Sequence, residues 1–384
     1  MRPALLRCLV LLAVTPLSAQ DLPVRRLVEA SRVDATEHDL VGINFMAVSA
    51  RGVVALGQPD DGGVRLIHPD GRVTAFGRSG EGPGEFRTPG RLGWLGDTLW
   101  IADPTLRRVT YVAPDGTLLR VTPLPREDQI AASSTTPMSV SIVIQYGAYP
   151  NGDLLLAPLL SVRSGRPSWI AAEHEGDTPM MRWPVDGRAP SIVGWNLAAD
   201  LGPCVPGEAA GSGPRFSIPF CPRAAFAIGR AGEAAVNLLP NRDDPFRAPF
   251  RVIMAGPDGT TRYDRAVPVT PVRVPAEAIE SLKARWRAVP NAPAALRERI
   301  DATRFPEYYG PFANVLLGED LSTWIEHYTT DGTRRWQVLD PQGRPAFTVT
   351  APSAVRLQLV SQTTAWGTEA DADGLQHVVR YRVR

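Results

Sequence analysis

Residues 369–374, Glu-Ala-Asp-Ala-Asp-Gly, set carboxylates at alternate positions ahead of a glycine. That pattern matches the first half of a calcium loop, where spaced acids gather round the cation and the glycine turns the chain. Such a loop needs a glutamate at its twelfth position, and Arg380 stands there instead. Glu369, Asp371 and Asp373 are therefore calcium candidates that equally suit a turn between two strands. Calcium is the only cofactor they suggest. The histidines, His38, His68, His174, His327 and His377, show no pairing at metal-ligand spacing, and no His-Glu-x-x-His occurs. A Gly-x-Ser-x-Gly nucleophile elbow is also missing. Residues 241–245, Asn-Arg-Asp-Asp-Pro, read as a loop of caps and turn formers. No residue is assigned a catalytic role.

A second stretch, FGRSGEGPGEFRTPG at 76–90, holds five glycines and raises the question of phosphate binding. A phosphate-binding loop needs Lys-Ser/Thr after its glycines, with a helix following. This stretch has no lysine, and a strand pattern comes after it. It reads better as a connector: glycines and Pro83 turn the chain sharply, and Phe86 fills apolar space. Arg78, Glu81, Glu85 and Arg87 are expected to form ion pairs there. Asp103 and Arg107 occupy the next loop, "ADPTLRRV", where bracing by hydrogen bonds is expected. Because such connectors line one face of a ring, Arg78, Glu81, Glu85, Asp103 and Arg107 are the candidate ligand contacts.

The chain has 384 residues. Residues 1–19 have the form of a secretory signal: Arg2 and Arg7, an apolar run, then small residues up to Ala19. No later run reaches the ~20 apolar residues of a spanning helix. An exported chain, periplasmic or extracellular, is expected. Removing Arg2 and Arg7 from the 41 Lys+Arg leaves 39 against 40 Asp+Glu, a nearly neutral balance that argues against nucleic acid as a partner. Cys8 leaves with the signal. Cys204 and Cys221 remain, and in an oxidising compartment they suit a disulfide across a Gly/Pro-rich loop. Such a closure is worth ~3 kcal/mol in the chain-entropy model.

These residues must be positioned by strands. Short β-branched and aliphatic runs alternate with Pro-Asp-Gly turns at 69–71, 114–116 and 257–259. "GVVALGQPDDGGVRLIHPDGRVTAFG" aligns with "DTLWIADPTLRRVTYVAPDGTLLRVT", with Asp70 and Asp115 one blade-length apart. The expected fold is all-β: a six-bladed β-propeller, closed by pairing an N-terminal strand, "PVRRLVEASRV", with the C-terminal blade. A seventh blade within 160–225 is the alternative. One domain over 20–384 carries insertions at 190–222, the cysteine loop, and 275–305. The latter includes a small helical element near 275–304, with Ile279, Leu282 and Trp286 on one stripe.

Residues 82–120 resemble an NHL repeat, with a Gly-x-Phe opening, a strand ending Ala-Asp, then Arg-Val and an Asp-Gly turn. The whole chain is similar to exported bacterial six-bladed propellers. The repeat pattern, with no catalytic constellation beside it, points to a non-catalytic binding or scaffold module, expected to be a monomer, that takes a protein, peptide or glycan on one face. The alternative is a metal-assisted hydrolase or lyase, lactonase-like or amidating-lyase-like, acting at the central channel as some six-bladed relatives do.

Overall fold

The computed structural model describes residues 22–135, 139–160, 170, 174, 177–196, 219–229, 232–288 and 303–384. Strand β1 (Val24–Val33) comes first. The first blade is β2 (Phe45–Val48), β3 (Val54–Gln58), β4 (Gly63–Ile67) and β5 (Val73–Phe76). The second is β6 (Leu92–Leu95), β7 (Thr98–Asp103), β8 (Arg108–Val112) and β9 (Leu118–Pro123). Helix α1 (Glu127–Ala132) leads to the third blade: β10 (Val140–Ala148), β11 (Leu154–Leu160), β12 (Thr178–Trp183) and β13 (Ser191–Asn196). The fourth is β14 (Ala225–Ile228), β15 (Ala235–Leu239), β16 (Phe250–Ala255) and β17 (Thr261–Val267). Helix α2 (Ala276–Arg287) precedes β18 (Asn314–Leu317), β19 (Thr323–His327), β20 (Thr333–Leu339), β21 (Pro345–Pro352), β22 (Val355–Val360), β23 (Thr364–Ala370) and β24 (Gln376–Val383).

The chain folds as an all-β propeller, but the expected set of six blades is corrected. Four blades are separate four-stranded sheets, and the other eight strands form one sheet in the order β18-β19-β20-β21-β1-β24-β23-β22. The cause is β1. Leu27 to Val33 pair antiparallel with β24, as a closing strand should. Val24, Arg25 and Arg26 pair in parallel with β21. One strand thus joins two ladders that the repeat pattern treats as separate. Both ends of this sheet, β18 and β22, are inner strands, so it runs outward to β1 and returns toward the axis. Around that axis β2 lies against β6 and β22, β18 lies against β14 and β22, and β6 lies against β10.

The repeating hairpins come from one local device. Asp70, Asp115, Asp258 and Asp371 each accept an N–H two residues on, from Arg72, Thr117, Thr260 and Asp373. The intervening Gly71, Gly116 and Gly259 have φ near 81–89°, in the left-handed region that glycine enters without a Cβ clash. No blade shelters its own faces. Ala47, Ala55 and Leu66 of the first blade pack with Leu92, Leu99 and Ile101 of the second. Trp100 and Tyr111 pack with Val143 and Leu156 of the third. Burial between neighbouring sheets is the driving force that assembles the ring.

The sequence range 190–222 opens with β13, the outer strand of the third blade. The segment 197–218, with Cys204, lies outside the described residues, as do the signal segment and 289–302. Helix α2 starts after Pro275 as expected and buries Leu282. Its Trp286 lies 6.1 Å from the Phe305 ring.

Candidate functional site

The loop at 76–90 is a built connector. Phe86 is wholly buried between the first two blades, edge-on to Phe76 at 5.9 Å. A Cβ on Gly77, at φ +81°, would lie 2.5 Å from the Phe86 ring. The candidate ligand residues hold this connector together. The Arg78 guanidinium donates to Glu85 at 2.8 Å, and the Gly82 N–H donates to the same carboxylate at 2.8 Å. That N–H and Arg78 together hold the half-buried Glu85 carboxyl below its ordinary range. Glu81 takes an ion pair from Arg87 at 2.8 Å. Asp103 is completely buried and accepts from the backbone N–H groups of Arg87, Thr88 and Leu106. Arg107 turns the other way, donating to Glu127 and to the Pro125 carbonyl. Its neighbour Arg108, which sequence reasoning passed over, donates to the carbonyls of Glu81, Gly82 and Glu85. Asp103 and Arg108 thus clamp the connector from the two middle strands of the second blade.

The clamp recurs. Gln58 stands at the end of the first blade's second strand, where Asp103 stands in the second. It is fully buried and donates to the carbonyls of Asp39 and Val41 in the connector before its own blade. His327 ends β19 and faces the Pro311 carbonyl of the connector before β18, with Gln337 at 3.3 Å. Burial lowers the His327 pKa, so the fold favours the neutral ring. Its stabilising share is present above the unfolded pKa of ~6.5 and is lost as pH falls through that value toward the folded pKa. Urea midpoints measured from pH 7 to pH 5 should fall in the wild type, and the fall should be shallower in His327→Gln. Equal slopes would refute this assignment.

The calcium candidates are dispersed into other work. Glu369 takes Arg32 and the Tyr381 hydroxyl. Asp371 accepts N–H groups from Leu375 and Asp373 and faces His377 Nε2 at 3.3 Å. The Leu375 N–H is the main cause that holds Asp371 below the usual carboxylate range. Asp373 lies exposed in the turn. Among the described residues no group of three or more His, Cys, Asp or Glu side chains is placed to hold a metal ion.

A different set of residues lies at or beside the starts of the inner strands, at one end of the channel. Among the described residues, the six strands nearest the axis contain no Asp, Glu or His, and their only charged residue is Arg356 on β22. Arg91 directly precedes β6 and Arg223 lies two residues before β14. All three arginines are exposed, and none forms an ion pair with a carboxylate among the described residues. Asn44, just before β2, and Asn314, which starts β18, are exposed at corresponding positions.

Aromatic rings accompany two of the arginines. The Arg91 guanidinium lies 4.3 Å from the Tyr146 ring centre and 5.9 Å from that of Phe45. Tyr146 in turn meets Phe226 at 5.3 Å across the third and fourth blades. Burial raises the Tyr146 pKa, and Arg91 offsets part of the rise. Tyr328 shows the same balance against Arg223, and it stacks on Tyr309 at 4.3 Å with the rings 7° from parallel. No motif marked these arginines; the ring topology alone collects them.

No family model matches this chain, and no curated protein matches it. Solved structures do. A gluconolactonase from Xanthomonas campestris aligns over 95% of this chain and 99% of its own, at 11% identity and a TM-score of 0.41. Regucalcin, a calcium-binding protein from Agrobacterium tumefaciens, aligns over 94% and 96%, at 11% identity and a TM-score of 0.39. A catalytically inactive virginiamycin B lyase from Staphylococcus aureus, solved with quinupristin, aligns over 91% and 87%, at 13% identity and a TM-score of 0.37. At these scores the likeness carries no argument about activity, and the propeller assignment rests on the sheet order itself.

Proposed function

We propose that this chain is a recognition propeller that takes a protein, peptide or glycan at the end of its channel where the inner strands begin. The supporting observation is a division of labour. The connector residues with the chemistry to bind are spent on clamping the fold, whereas the exposed arginines and asparagines at the channel end are left without carboxylate partners. A rigid ring with polar groups at its axis suits recognition. Peptide and glycan arrays probed with the purified chain should yield a binder that Asn314→Trp, which plugs the channel end, no longer retains. Arrays that return no binder, or a binder indifferent to the plug, would overturn the proposal.

The second reading is a lactonase-like or lyase-like enzyme at the same channel end. A gluconolactonase and a virginiamycin B lyase are among the solved structures with which this chain aligns. A metal-assisted version would need ligands beyond those the described residues assemble. Lactone turnover abolished by a chelator, with a stoichiometric metal in the purified chain, would establish it over the first.

The same proposal places the chain outside the cytoplasm after cleavage at Ala19, as a monomer built of NHL-like repeats, with Cys204 and Cys221 joined. No helix among the described residues is long and apolar enough to cross a membrane. Alkylation of the unreduced, denatured chain should leave both cysteines unlabelled. Labelling of either one would remove the disulfide.

A further inference from the structure

We infer that the ligand of the channel end carries a carboxylate, read by Arg91, Arg223 and Arg356; this rests on the channel-end reading above. Three observations converge. First, the inner strands present positive charge without any compensating acid. Secondly, several connector carboxylates are already neutralised: Glu81 by Arg87, Glu85 by Arg78 and Glu127 by Arg107. Asp61 is likewise held by Arg65. The three guanidinium groups at the channel end have no carboxylate partner among the described residues and favour an anion there.

Thirdly, the Arg91 side chain and the Arg356 backbone are held in place. Arg91 extends the β6–β7 ladder, its carbonyl accepting the Ala102 N–H at 2.9 Å, and its guanidinium lies against Tyr146. Arg356 is paired with Thr368 within β22–β23. The Arg91 guanidinium also hydrogen-bonds the Tyr146 side chain, and the N–H groups that remain match the two oxygens of a carboxylate in the plane of the fork. Pre-positioning lowers the entropy lost when the fork is engaged. A tetrahedral phosphate would also be attracted, but it would meet fewer of these planar contacts.

Calorimetric titration with citrate and, separately, with inorganic phosphate tests the inference. Citrate should bind saturably and more tightly than phosphate, and added sodium chloride should weaken it. Arg91→Gln should weaken citrate about tenfold or more, the loss of one charge-assisted contact. Arg91→Lys should recover only part of that, because it restores charge without the fork. The variants replace exposed side chains, so unchanged melting temperatures will certify their folds. Absence of citrate binding, or binding unchanged in the triple Arg91→Gln, Arg223→Gln, Arg356→Gln variant, overturns the inference. Phosphate binding more tightly than citrate overturns the carboxylate assignment. If the triple variant keeps an array ligand that Asn314→Trp loses, the carboxylate inference falls and the channel-end reading stands. If neither variant affects that ligand, both fall.

Discussion

Deleting residues 22–33 should abolish the cooperative thermal transition and drive the chain into aggregates. Strand β1 is mostly exposed, with Val24 at 70% and Val28 at 38% of full accessibility, so its contribution is not chiefly apolar burial. It pairs on both sides, with β21 through Val24, Arg25 and Arg26 and with β24 from Leu27 to Val33. Further ties are the Arg25 donation to the Gln362 carbonyl and the Arg25 contact with the Phe347 ring at 4.1 Å. At roughly 1 kcal/mol net per ladder bond, a doubly paired strand is a large share of the ~5–15 kcal/mol that holds a domain. Its loss also bares two unpaired edges, which invite pairing between chains. Circular dichroism and gel filtration would read the outcome, and a synthetic 22–33 peptide in excess should restore part of the transition. A truncated chain that melts cooperatively within a few degrees of the intact one would show that β1 is dispensable.

The double role of β1 also marks where sequence reading stops. Its alternation shows a strand, and its position shows which end it can close. Nothing in "VRRLVEASRV" says that its first three residues leave β24 for β21, because pairing partners are set by the ring and not by local pattern. The Asp-Gly hairpins were readable for the opposite reason: a carboxylate capping an N–H two residues on, with glycine between, is complete within four residues. Phe86 and Asp103 were readable in the same way, from one connector motif. Strand β10, VSIVIQYGA, runs into an Asn151-Gly152 turn of the same kind, so only its start lacks a local mark, and β13 sits against a Gly/Pro-rich stretch that masks it as an insertion. The arginines at the channel end are the extreme case. Arg91, Arg223 and Arg356 lie among many arginines, and only the convergence of the inner strands distinguishes them.

Asp103→Ala should cost about 3 kcal/mol or more of unfolding free energy, measured by urea titration. The carboxylate is wholly buried, and it satisfies three backbone N–H groups at 2.7–3.2 Å. Alanine leaves those donors without an acceptor, and each unsatisfied buried group costs about 1–3 kcal/mol unless water enters. The damage should spread to the connector, because Arg87 and Thr88 come directly after Phe86, whose ring fills the space between the first two blades. Asp103→Asn keeps one acceptor oxygen and should retain part of the stability. Gln58→Ala, which removes the corresponding clamp in the first blade, should cost less, since it frees two carbonyls that can each still find water. This ordering separates the two roles open to Asp103. A clamp predicts a large stability loss with ligand binding intact in the surviving folded fraction. A ligand contact predicts the reverse, and a stable Asp103→Ala protein that no longer binds would reassign the residue to the site.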